Sequence, residues 1–151
     1  TVLTFNKPHR ILLVPGAGVL IIGTFISAIA AAYYYSYGAW GIGQTLDKNP
    51  EEILAFMDNV IFTNHYVSCI LRFGRVFSGA GLVIIGAGLL TWKIMDTWFG
   101  LFTVVFGISA MAIIMLVPDN FEMYKPMFYV KVVWVMCMGI LILRKGLPVP
   151  D

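Results

Sequence analysis

Glu51, Asp58, His65 and Arg72 recur every seven residues. Seven residues is close to two turns of an α-helix, so the spacing lines up two carboxylates, an imidazole and a guanidinium in one stripe. Such groups bind ions, pass protons or line a polar path. Metal binding asks for more, namely several donors converging at fixed geometry. Asp58 and His65 would stand about 10 Å apart along a helix axis. The only other imidazole is His9, so a His9–His65–Asp58 set requires the chain's lead-in to fold back. No metal site is expected, and no haem, which calls for a histidine well inside an apolar run.

Other chemistry is not signalled. There is no GxSxG and no serine–histidine–acid order with a supporting context. The glycines follow no strand, so they do not form a phosphate loop. No pair of acids sits deep in an apolar run; Asp96, Asp119 and Glu122 read as loop residues. Lys131 is the one charge inside a span boundary. It is expected to snorkel, with a buried ion pair to Glu122 or Asp119 as the sharper alternative. Cys69 and Cys137 lack a CxxC pattern and are expected to be two buried thiols. No catalytic residue and no cofactor is therefore expected; bound lipid is.

The elements that position the stripe follow from composition. The 151 residues are 60% apolar and 12% charged, with a mean hydropathy of +0.87. Soluble proteins are roughly 45–50% apolar and 25% charged. A soluble fold this small leaves too much surface exposed to hide that excess, so lipid is expected to serve as solvent for the outer faces. The net charge of +2 includes no basic stripe, which excludes a nucleic-acid role.

The expected fold is all-α, a single membrane domain over 1–151 with about four transmembrane helices and one amphipathic helix. The spans are placed at 11–35, 76–94, 97–117 and 127–143. The first has Pro15 near its start, where a missing donor costs least. It ends in Tyr33, Tyr34, Tyr35, Tyr37 and Trp40, residue types that favour the membrane–water boundary. The chain opens at Thr1, and no cleavage site with a soluble remainder follows this run, so it is expected to be a span and not a signal peptide. Asn49 caps the next helix, with Pro50 at its first position and Glu51 and Glu52 in its first turn. This helix, 51–72, is expected to lie along the membrane surface, stripe toward water; the alternative is a crossing with the stripe inward. Lys93 and Asp96 mark a tight connection flanked by Trp92 and Trp98. Basic residues are nearly balanced between the two sides, with a slight lean toward cytoplasmic termini.

Helices in lipid gain little from hydrophobicity alone, and small residues let their backbones approach. Gly16, Gly23, Ser27 and Ala30 fall near one face of the first span. Gly79, Gly86 and Thr91 lie together in the second, with Gly81 and Gly88 forming another seam. Phe99, Phe102, Phe106 and Met111 are expected to fill the facing grooves or to face lipid. Gly16-Ala17-Gly18-Val19-Leu20-Ile21-Ile22-Gly23 is nearly repeated as Gly79-Ala80-Gly81-Leu82-Val83-Ile84-Ile85-Gly86. Repeats build many transporters, although glycine-rich apolar helices also produce short matches by chance.

The layout of a first span, an amphipathic stretch and three closely spaced spans resembles DoxX-like small four-helix membrane proteins. Arg72-Phe73-Gly74-Arg75 leading to Gly79-Ala80-Gly81 adds to the likeness, which brings no functional residue with it. The expected function is that of an accessory or structural subunit of a larger membrane complex, packing through its glycines. A small self-associating transporter or channel is the alternative, and a membrane enzyme acting on a lipid-soluble substrate such as a quinone is a further one. The expected partners are the bilayer and other membrane subunits or copies of the same chain.

Overall fold

One continuous helix runs through the point where the hydropathy pattern suggests two. The computed structural model describes residues 10–36, 40–43, 45–93, 95–116 and 121–144. Within these the order is α1 (Arg10–Tyr34), α2 (Trp40–Gly43), α3 (Pro50–Trp92), α4 (Thr97–Leu116) and α5 (Phe121–Arg144). No strand occurs among the described residues. Three helices are long and apolar enough to cross a membrane: α1, α3 and α4. The apolar part of α5, Pro126–Leu141, is shorter, about 24 Å at 1.5 Å per residue.

α1 and α4 keep the expected spans nearly to the residue. The correction concerns α3, which has 43 residues and no break between 72 and 76. Its length is about 64 Å, twice the ~30 Å of a hydrocarbon core. A helix lying in the membrane plane must turn before it can become a span, and α3 does not turn. The Arg72–Arg75 charges interrupt hydropathy, but they leave the backbone's hydrogen-bond ladder intact. A lone glycine such as Gly74 costs a helix only ~1 kcal/mol.

The start of α3 is specified locally. Asn49 has extended backbone angles (φ −74°, ψ 162°). Its Oδ1 accepts from the Glu52 amide at 2.9 Å, and the Asn49 amide donates to the Glu52 carboxylate at 3.4 Å. Pro50 supplies the first helical residue without an orphan donor. Asn49→Ala is expected to cost about 1 kcal/mol of local stability. The measurement is amide hydrogen exchange, which should quicken over the first turns of α3 and leave the rest unchanged. At the other end Lys93 takes left-handed angles (φ 46°, ψ 37°), ending α3 in the tight connection to α4.

The chain forms two compact units, Thr1–Leu116 and Val117–Asp151. In the first, α3 lies between α1 and α4, antiparallel to both. A Cβ on Gly16 would meet Ile85, one on Gly81 would meet Leu20, and one on Gly88 would meet Leu12 and Leu13. On its other side α3 meets α4: Gly79 opposes Gly107 and Met111, and Gly86 opposes Gly100 and Val104. Leu82, Leu89, Ser78 and Thr103 are fully buried. The second unit contains α5, where the Lys131 ammonium lies 5.5 Å from the centre of the Phe128 ring, one turn back. Asp119 and the side chain of Glu122, the alternative partners expected for Lys131, lie outside the described residues.

Candidate functional site: the glycine crossing and the open face of α3

The closest approach in the molecule is built from two short motifs that face each other, Gly23-x-x-x-Ser27 on α1 and Gly74-x-x-x-Ser78 on α3. A Cβ on Gly23 would strike the Ser78 amide nitrogen and lie 2.6 Å from the Gly74 carbonyl oxygen. A Cβ on Gly74 would lie 2.7 Å from the Ser27 nitrogen and 2.8 Å from the Gly23 oxygen. Each serine hydroxyl donates to the carbonyl of its own glycine one turn back, at 2.9 Å in both helices. The polar groups in the crossing are thus satisfied within their own helices, and the backbones come together without stranding a donor. Of the packing residues expected from sequence, Gly16 and Gly23 lie against α3, whereas Gly79 and Gly86 lie against α4. The near-repeated octapeptides therefore present different faces: Gly18 has nothing within 4 Å of its Cβ position, while its counterpart Gly81 abuts Leu20. Phe106 is buried and Met111 fills the notch at Gly79, while Phe102 is exposed and stacks on Phe106 at 5.9 Å.

The polar stripe lies elsewhere. Glu51, Asp58, His65 and Arg72 are all exposed on α3. Among the described residues no group of three His, Cys, Asp or Glu side chains converges as a metal site would; His9 lies outside them. Cys69 and Cys137 are free and exposed, not buried as expected. Their apolar surroundings in the sequence are helix surface, where hydrocarbon in place of protein would cover them.

α3 outruns its neighbours. The last turns of α1 reach it beside Val60–Val67, where Tyr33, Tyr34, Val60, Ile61, Thr63, Asn64 and Val67 line a shallow groove of about 260 Å³. The groove holds no carboxylate, imidazole or ammonium, so it offers room for an apolar chain beside a few neutral polar groups. Continuing α4 five residues past Met111, which meets Gly79, ends it near residue 74 of α3 by helical rise. Between Pro50 and Tyr66 the side toward α1 carries Gly41 against Phe56 and the Lys48 ammonium 5.9 Å from that ring's centre. The opposite side is open. Leu54 is 66% exposed, Phe62 79% and Tyr66 66%, with Met57 also exposed. These residues flank the stripe: Leu54 and Met57 lie on one side of the Glu51–Asp58–His65 line, and Phe62 and Tyr66 on the other. Sequence periodicity gave the stripe but not its apolar borders, because an apolar residue reads the same whether it faces a core or the outside.

No protein-family model, no curated protein and no solved structure matches the chain. The likeness to DoxX-like proteins therefore stays one of layout, and the face itself is what bears on function.

Proposed function

We propose that this chain is an accessory subunit of a larger integral membrane protein complex. In this reading α1, the part of α3 beside it, α4 and α5 cross the bilayer. The exposed tyrosines Tyr33–Tyr35 mark one boundary and Trp98, 80% exposed, marks the other. The observation that carries the reading is the outer end of α3. About 15 Å of helix, Pro50–Asn59, extends past the tyrosine boundary, and large apolar side chains from Leu54 to Tyr66 are uncovered. Apolar side chains grouped on a projecting helix mark a place where another protein sits.

The transporter and enzyme readings draw less support. The stripe lies on an outer face and encloses no path, and the two similar octapeptides are not used alike in packing. The groove at Tyr33 and Tyr34 carries no carboxylate, imidazole or ammonium, and its shape suits a lipid chain. Extraction from the native membrane into lipid nanodiscs, followed by mass measurement, tests the proposal. The chain should travel with other proteins in a particle well above its own 16.8 kDa. Recovery as a lone monomer with lipid would overturn it.

A further inference from the structure

We infer that the open face of α3 between Glu51 and Tyr66 seats a helix of a different protein, one that brings lysine or arginine side chains to Glu51 and Asp58. The inference rests on the accessory-subunit reading and names the chemistry of the partner.

Three occupants compete for this face, and charge separates them. The first is the membrane surface. Helices that lie on membranes carry lysine and arginine on their polar side, because the headgroup region is anionic. From Pro50 to Tyr66 this helix has three carboxylates and no lysine or arginine. An anionic surface repels it, and apolar flanks on both sides of the acidic line would pull that line into the headgroups.

The second occupant is another copy of the chain. Copies inserted the same way are related by an axis along the membrane normal, so their α3 helices run parallel. Parallel pairing along the stripe sets Glu51 against Glu51 and Asp58 against Asp58, and like charges brought together in an interface cost several kcal/mol. Antiparallel pairing would relieve this by bringing acidic ends to His65 and Arg72. It requires one copy to project from the opposite side of the membrane, where the two outer ends cannot meet.

The third occupant is a helix of another protein. Laid along the stripe, it covers Leu54 and Met57 on one flank and Phe62 and Tyr66 on the other. That is the arrangement of an interface with an apolar border and a charged seam. The seam is then withdrawn from water, so its carboxylates need cationic partners. A basic partner satisfies them, whereas a neutral or acidic one leaves them buried and unpaired.

The experiment places a photo-crosslinking amino acid at Leu54 of the full chain in its native membrane and identifies the attached peptide by mass spectrometry. The expected product is a segment of a different protein with net positive charge, and its yield falls about tenfold or more in E51K/D58K. Both positions are exposed and neither belongs to the Asn49–Glu52 capping pair, so this variant leaves the α1–α3–α4 core and the start of α3 unchanged. Attachment to the same chain (α5 included) or to a second copy overturns the inference, as does an acidic peptide or a yield that ignores the charge reversal. Attachment only to lipid overturns it as well. The nanodisc mass tells the two failures apart. A large particle with the wrong cross-link removes this inference alone, and a lone monomer removes the subunit reading with it.

Discussion

Gly23→Val and Gly74→Val are each expected to separate α1 from α3, while Gly18→Val leaves the pair intact. At Gly23 and Gly74 an added carbon meets the facing serine hydroxyl and, beside it, backbone nitrogen and oxygen of the facing helix. Backbone cannot swing aside as a side chain can, so one helix has to move bodily. Overpacking of this kind costs about 1–3 kcal/mol for small additions. Here the displacement also spreads along a seam that includes Gly16, Gly81 and Gly88. At Gly18 nothing lies within 4 Å of the Cβ position, and the better helix propensity of the replacement wins. The contrast isolates packing from propensity, because all three changes add the same atoms to a glycine in a helix. Thermal unfolding in detergent should show a lowered midpoint for the first two variants and none for the third. Equal effects at all three sites would mean that the crossing is not the close contact described here. Gly79→Val should fall between these cases, because the nearest obstacle there is the flexible Met111 side chain, with the Gly107 carbonyl behind it at 3.0 Å.

Part of this architecture was legible before any coordinates. The ends of α1 and α4 follow from the lengths of uncharged runs, and the start of α3 from Asn49, Pro50 and Glu52, since capping chemistry is local. Glycine spacing separated Gly79 and Gly86 from Gly81 and Gly88, which meet different helices, but it also put the exposed Thr91 in the first seam and did not say which neighbour each would meet; that choice depends on how three helices share space. The stretch from Arg72 to Arg75 misled because two charges and a glycine look like the edge of a membrane segment. Charge reports where a side chain finds water or a partner, and it says little about whether the backbone stops being helical. Gly74, read as part of a boundary, is instead half of the tightest contact in the molecule. The spacing Gly23-x-x-x-Ser27 and Gly74-x-x-x-Ser78 was the signal that could have revealed it. The stripe from Glu51 to Arg72 was legible as a face. Its role was not, because a sequence shows what a helix presents and not what arrives to meet it.

Cys69→Pro is expected to be among the most damaging single changes in the chain, and Cys69→Ala among the mildest. Cys69 is exposed and free, so removing its side chain costs little packing. Proline there would remove one hydrogen bond of α3 and clash with the carbonyl one turn back, about 3 kcal/mol or more. The penalty exists only if the backbone is helical through this point. Had 51–72 been a surface segment ending in a bend, proline near that bend would be tolerated. A second measurement needs no destabilising change. Spin labels at Leu54 and Thr91, both exposed, should lie about 55 Å apart along a continuous helix and about 39 Å apart if it turned a right angle near residue 73. The longer distance is expected for the native chain, and a shorter, broader distribution for Cys69→Pro. The same variant bears on the partner. If the outer end of α3 is a seat for another helix, its direction matters as much as its surface. Re-aiming it with proline should weaken the complex even though every residue between Pro50 and Tyr66 is kept. A complex that survives Cys69→Pro at full strength would mean that the subunit contacts lie on α1 or α4, within the bilayer, and not on the projecting helix.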